Sequence, residues 1–458
     1  MSALSERKIA IVRTLVESAP DRVVGSLRQA LAETVDTGAL GGVKRLVEVE
    51  VHERTLRNTV LQPIAPMCVG AGDDPHRLTF PSRTLALLWR GLRAVDDDEL
   101  ISVVRNVVED DTAAHTVVAA EDKLTALTAA GLRRREQPDF RAAAELCDQA
   151  RPGGADLLAA CLDIAPVVRR STQRLPEWLA HPGGETSAGA RLAYRDACAV
   201  DDDAGPRFFE MLSAQMAHPW MVLRVISAVM DKPTERYLAD SEMAGFGESL
   251  LSDIDEALAS IGRLQPDAGP PAGRSAAKLA ELVVQQITEI ETCVNLEREH
   301  GWGHRVHNQR AGLAGVVEGR LREAEKATMD ALPVQSARNH RVRRPSPRLA
   351  VPPEDRLVTR AITLLSFSDE LRTTANYGGF SSARNKMVER LGEYIDHYVD
   401  EVVDLIRTDE VEEVQIAAAY LEHAAVFSQL IRGDKAGEIV RRRAHAVLHA
   451  EPSHHRAD

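Results

Sequence analysis

Positions alternately three and four residues apart between Leu279 and Leu321 trace an apolar helical seam whose middle becomes one carboxylate and three imidazoles. That middle is Glu297, His300, His304 and His307, framed by Val283, Gln286, Ile290 and Cys293 on one side and Ala311, Ala314 and Glu318 on the other. One continuous helix presents such positions along a single stripe. Imidazole nitrogens and a carboxylate suit zinc or another divalent cation, and Glu297-Arg-Glu-His300 has the Glu-x-x-His step of di-metal helical bundles. The only other such step is Glu451-Pro-Ser-His454, so a di-metal centre has little support. Two further readings compete. The stripe forms a polar or pH-responsive layer that sets helix register, or Gly301 and Gly303, flanking Trp302, break the helix and leave the histidines in an exposed kink. The break carries most weight.

Other groups with chemical potential have plainer explanations. The acidic runs Asp96–Asp98 and Asp201–Asp203 suit magnesium in principle. Each precedes a helix, where Asp caps free N–H groups and complements the positive end of the dipole. The stretch from Arg338 to Arg348, with Arg341, Arg343 and Arg344, is the one strongly basic patch, and its prolines read as a solvated linker. An acidic partner or an anionic membrane surface is its functional alternative. Two turns place aromatic and arginine side chains as interface anchors: Trp220 with Arg224, and Tyr377 with Phe380 around Gly378-Gly379. Packing between helices explains the same aromatics. Phosphate-loop, dinucleotide, H-E-x-x-H and G-x-S-x-G patterns are absent from the sequence. No catalytic residue or cofactor is expected, and the weight falls against an enzyme.

These groups must be positioned by helices. Of 458 residues 44% are hydrophobic but only 4% aromatic, so the core is built from Leu, Ala and Val. Alternating strand patterns are nearly missing, and Val47-Glu-Val-Glu-Val51 lies inside a 3.6-residue period. The expected fold is all-α: an elongated multi-helical protein with bundles or an irregular array bracketing a long coiled-coil-like helix. Punctuation by Pro and Gly predicts blocks at 1–131, 139–262, 274–335 (the long helix) and 354–450, joined by proline-rich linkers at 265–273 and 338–353.

Net charge of −13 argues against general nucleic-acid binding. Five dispersed cysteines without a C-x-x-C pair read as reduced thiols of a cytoplasmic protein. No run approaches the ~18 apolar residues of a membrane span, and the Arg- and Ala-rich composition points to a GC-rich bacterial genome. The expected function is a non-enzymatic cytoplasmic scaffold or adaptor holding other proteins on helical surfaces, with a homodimer through 274–335 as one mode. The alternatives are a metal-binding or enzymatic bundle using the His300/His304/His307 face, and a peripheral membrane-surface protein using the basic linker.

Overall fold

The computed structural model of the protein describes residues 6–33, 38–69, 77–96, 99–110, 114–180, 184–336 and 345–449. Twenty α-helices fill most of these, and two minimal two-stranded ladders are the only named strands among them. The all-α fold class is therefore the observed one. No helix among the described residues is long and apolar enough to cross a membrane.

The chain divides into two units, Met1–Lys232 and Pro233–Asp458. The first contains α1 (Glu6–Ser18), α2 (Asp21–Leu31), α3 (Gly38–Val60), α4 (Arg83–Val95), α5 (Glu99–Asp110), α6 (Ala114–Arg134), α7 (Pro138–Ala150), α8 (Gly154–Ala180), α9 (Gly184–Cys198), α10 (Ala204–Ala214) and α11 (Val222–Met230). Between α3 and α4, Cys68–Val69 (β1) and Phe80–Pro81 (β2) pair in parallel. The small residues here set helix spacing. Phe140 of α7 is 1% exposed, and its ring lies against Gly91 of α4 and Gly131 of α6. A Cβ at Gly91 would sit 2.9 Å from that ring, and one at Gly131 would overlap it. Gly131→Ala is therefore expected to destabilise this unit by about 1–3 kcal/mol through overpacking, despite alanine's better helix propensity. Phe140→Leu should recover part of the loss in a double-mutant cycle read by urea denaturation. An unchanged midpoint for Gly131→Ala would refute this account of the packing.

The second unit contains α12 (Glu235–Ala239), α13 (Ala244–Gly262), α14 (Pro270–Cys293), α15 (Gly301–Ala331), α16 (Asp355–Glu370), α17 (Ala375–Gly378), α18 (Ser381–Arg407), α19 (Val414–Arg432) and α20 (Asp434–Leu448). Val334–Ser336 (β3) and Pro345–Pro347 (β4) pair antiparallel between α15 and α16. The Pro/Gly stretch 265–273, expected to separate blocks, is packed into this unit. Pro270 and Pro271 open α14, where a missing N–H costs nothing. Gly273 is buried against α16, where a Cβ would overlap the Thr363 carbonyl, so the close approach requires glycine. The unit boundary falls instead between Lys232 and Pro233, within the block read as 139–262.

The continuous helix expected over 274–335 is two helices. α14 ends at Cys293, Val294 is extended (φ −120°, ψ 140°), and so is His300 (φ −142°, ψ 173°). Gly301 then takes φ +57°, a left-handed conformation that glycine adopts without a Cβ penalty. The interruption resets the helical phase. α14 buries Val283, Gln286, Ile290 and Cys293, as the seam requires. α15 buries Trp302, Val306, Gln309, Leu313 and Val317, and of the continued stripe only Leu321, while His304, His307, Ala311 and Glu318 are exposed. A coiled-coil seam through these residues is thus not continuous, and the apolar side of α15 is taken up within the unit by α13, α16 and α18.

Candidate functional site

Glu297, His300, His304 and His307 are all exposed. His304 exchanges a hydrogen bond with Asn308 Nδ2 at 3.0 Å. No group of three or more His, Cys, Asp or Glu side chains converges as a metal site among the described residues. The helix does break at this point, with Glu297 and His300 in the interruption, but His304 and His307 stand on the exposed side of α15, and the four are not gathered into a coordination sphere.

What holds the kink is a residue that sequence inspection passed over. Glu235 is 6% exposed. Its Oε1 accepts the Trp302 N–H at 2.8 Å, and its Oε2 accepts the Glu297 and Gly303 N–H groups at 2.9 and 3.0 Å. A buried carboxylate thus supplies the negative charge that a helix N-terminus favours. Gly301 and Gly303 admit it: a Cβ on Gly301 would overlap Glu235 Oε1, and one on Gly303 would overlap the Glu297 carbonyl. The indole of Trp302 lies on Gly247 and donates Nε1–H to Glu248 at 2.7 Å. This constellation is a structural lock.

The sequence-derived contact residues divide. Arg224 donates Nη1–H to the Leu179 carbonyl at the end of α8, a helix-terminating role. Trp220 is half-buried and stacks on His218 with ring centroids 5.5 Å apart. Phe380 is 1% exposed and fills the space over Gly378, whereas Tyr377 beside it is 78% exposed. Only Tyr377 of this pair is a free surface anchor. Arg341, Arg343 and Arg344 lie outside the described residues. Asp96 caps α5 as expected, its carboxylate accepting the Leu100 and Ile101 N–H groups at 3.4 and 2.9 Å. Asp201 pairs with Arg207.

The site with the clearest binding geometry lies in the first unit, where α1 and α2 rest on α3. Val16, Val24 and Val47 form a small separate core, with Val12, Leu27, Leu31, Val43 and Val51 around it. Arg54 of α3 ties this module together. Its Nε donates to Glu50 at 2.7 Å, Nη1 to Asp21 at 2.5 Å, and Nη2 to the Val16 and Ala19 carbonyls at 2.9 and 2.8 Å. It thereby satisfies carbonyls that the end of α1 leaves open. One turn on, Arg57 donates Nη2–H to both Asp21 oxygens at 3.3 and 3.2 Å. Asp21 opens α2 held between two largely buried guanidiniums, while its own side chain is 61% exposed.

Beside this pair is a cleft of about 710 Å³ whose far wall is α4, with Arg83, Leu85, Leu87 and Arg90, and whose lining includes Ala65 and Cys68. A neighbouring recess of about 300 Å³ adds Glu53, Trp89 and Arg93. The larger volume is in the range of ligand-binding clefts. Arg90 is engaged by Asp139 at 3.0 Å. Cys68 is the one thiol in this lining. Burial, reinforced by the neighbouring Cys147 and Cys161, pushes its pKa up to about 12. At neutral pH it is a protonated thiol and a poor nucleophile. The cleft offers guanidinium donors and aliphatic surface, which is recognition chemistry. In sequence the buried arginines were concealed, because α3 mixes charge with β-branched residues on all sides and shows no clean polar face. The spacing Glu50-x-x-x-Arg54 was the available signal. Compared with known proteins, the chain matches no family model, no curated protein and no solved structure.

Proposed function

We propose that this chain is a cytoplasmic adaptor that binds other proteins on the helical surface of its first unit and catalyses no reaction of its own. The observation that carries the reading is the outer surface of α1–α3. Ile11 and Leu15, one turn apart on α1, are 53% and 62% exposed, and Val23 of α2 and Val49 of α3 are 52% and 62% exposed. Residues four apart share a helix face, so Ile11 and Leu15 form one apolar stripe. Single exposed apolar residues are ordinary, but grouped ones mark interaction surfaces. The adjacent cleft supplies the exposed arginines Arg83 and Arg90, and arginine is favoured as an interface anchor. A homodimer through 274–335 would have to use the polar outer side of α15, since its apolar residues are covered within the unit.

A photo-reactive benzoylphenylalanine placed at Leu15 or Val49 in cells of the native host tests this, with the same group at Arg442 of α20 as control. A discrete protein adduct is expected at positions 15 and 49 and not at 442. Ile11→Asp combined with Val23→Asp should remove it without lowering helix content. Adduct formation that is equal at 442, or absent at both 15 and 49, would defeat the proposal. An adduct of the chain with itself at position 304 would restore the dimer as the principal mode.

A further inference from the structure

His445 and His449 lie one turn apart at the end of α20, both exposed, with ring centroids 4.3 Å apart and planes inclined by 50°. We propose that they form a two-histidine clamp for a late first-row divalent cation, with zinc and copper(II) as the ions it would take. Residues at i and i+4 of a helix project onto one face, so two imidazoles there can present nitrogens to one ion without rearranging the backbone. Imidazole is a preferred ligand for zinc, copper and nickel, whereas magnesium and calcium require oxygen donors. Neither ring makes a hydrogen bond to any other described side chain, so no existing partner must be displaced.

The electrostatic setting favours a cation. His445 lies in the last turn of a fifteen-residue helix and His449 directly follows its end, at the negative end of the dipole, where carbonyls lack intrahelical donors. The three arginines preceding it would oppose a cation, but each is matched by a carboxylate. Arg441 pairs with Glu422 at 3.0 Å, Arg442 with Glu438 at 2.9 Å, and Arg443 with Asp400. The chain continues with His454 and His455, five and six residues beyond His449. The site shares no residue with the kink at Glu297–His307 or with the cleft of the first unit, and it is independent of the adaptor proposal.

The test is calorimetric titration of the full chain, freed of metal by chelator and dialysis, with zinc chloride and separately with copper chloride at pH 7.5. One ion per chain is expected to bind, copper more tightly than zinc, with no heat from magnesium. His445→Ala and His449→Ala should each weaken binding by about tenfold or more. Alanine at these exposed helical positions should preserve the circular dichroism spectrum. The His454→Ala/His455→Ala double variant should retain the ion. The proposal is overturned if the His445→Ala/His449→Ala double variant binds as the wild type does. It is equally overturned if the wild type binds nothing, or if changing His454 and His455 alone abolishes binding.

Discussion

Replacing Glu235 by alanine is expected to lower the unfolding free energy of the second unit by about 4 kcal/mol, because three N–H groups lose a buried charged acceptor at once. Two belong to residues that open α15 (Trp302 and Gly303), and the third, from Glu297, fixes the loop before it. The same residue is anchored by its backbone: the Glu235 N–H donates to the Asn295 carbonyl at 3.1 Å, and the Asn295 N–H to the Pro233 carbonyl at 2.9 Å. Glu235→Gln keeps the shape but turns one acceptor into a donor, so its loss should be intermediate. Gly301→Ala should approach the alanine variant of Glu235, since it adds a left-handed strain and overlaps the carboxylate. Urea denaturation followed by circular dichroism, with hydrogen exchange at Trp302 and Gly303, measures the effect. A loss under about 1 kcal/mol for Glu235→Ala would mean that the cap is dispensable, since one ordinary hydrogen bond contributes that much.

Arg169→Met should cost the first unit about 3–5 kcal/mol at pH 7.5, the penalty for breaking a buried ion pair from one side. Arg169 of α8 is 6% exposed, and so is Glu121 of α6. Its Nη1 pairs with Asp122, and its Nη2 donates to the Val60 carbonyl at the end of α3 at 2.7 Å. Nε lies 3.1 Å from a Glu121 oxygen but off line for a hydrogen bond, so that contact is Coulombic only. Burial holds the Glu121 carboxyl above its ordinary pKa even with Arg169 beside it. The folded state therefore binds this proton more tightly than the unfolded chain does. That contribution is fully present below the unfolded carboxylate pKa and is lost as pH rises through the raised folded value. Removing Arg169 raises the folded value further. The deficit of the variant should accordingly be largest at pH 7.5 and shrink toward pH 4. A deficit that stays constant across this range, measured by urea midpoints, would show that Glu121 is not the group left unpaired.

Much of the helical layout was legible from local signals. Pro20 separates α1 from α2, Gly433 separates α19 from α20, and the Gly378-Gly379 turn ends α17, each where a backbone constraint acts within one or two residues. The Asp96 cap was readable for the same reason. Two inferences from pattern alone met their limits. The Pro/Gly stretch 265–273 resembles a linker because composition does not distinguish a mobile segment from a helix start whose glycine admits a neighbouring backbone. The seam through His300, His304 and His307 assumed constant helical phase, and a seven-residue interruption between Cys293 and Gly301 turns the first half of α15, with His304 and His307, to the exposed side. Gly301-Trp-Gly303 announced the break, but nothing local announced Glu235, which lies more than sixty residues earlier in the chain.

Sequence by itself determined the helical class, most helix ends, and the polar character of the stretch from Glu297 to His307, since these follow from propensity, capping and periodicity within a few residues. Tertiary structure decided which charges are buried. Arg54 with Asp21, Arg169 with Glu121, and Glu235 with the start of α15 are each separated by tens of residues in the chain. A charged side chain enters a low-dielectric interior only where folding brings it a partner, and that coincidence is a property of the packed molecule.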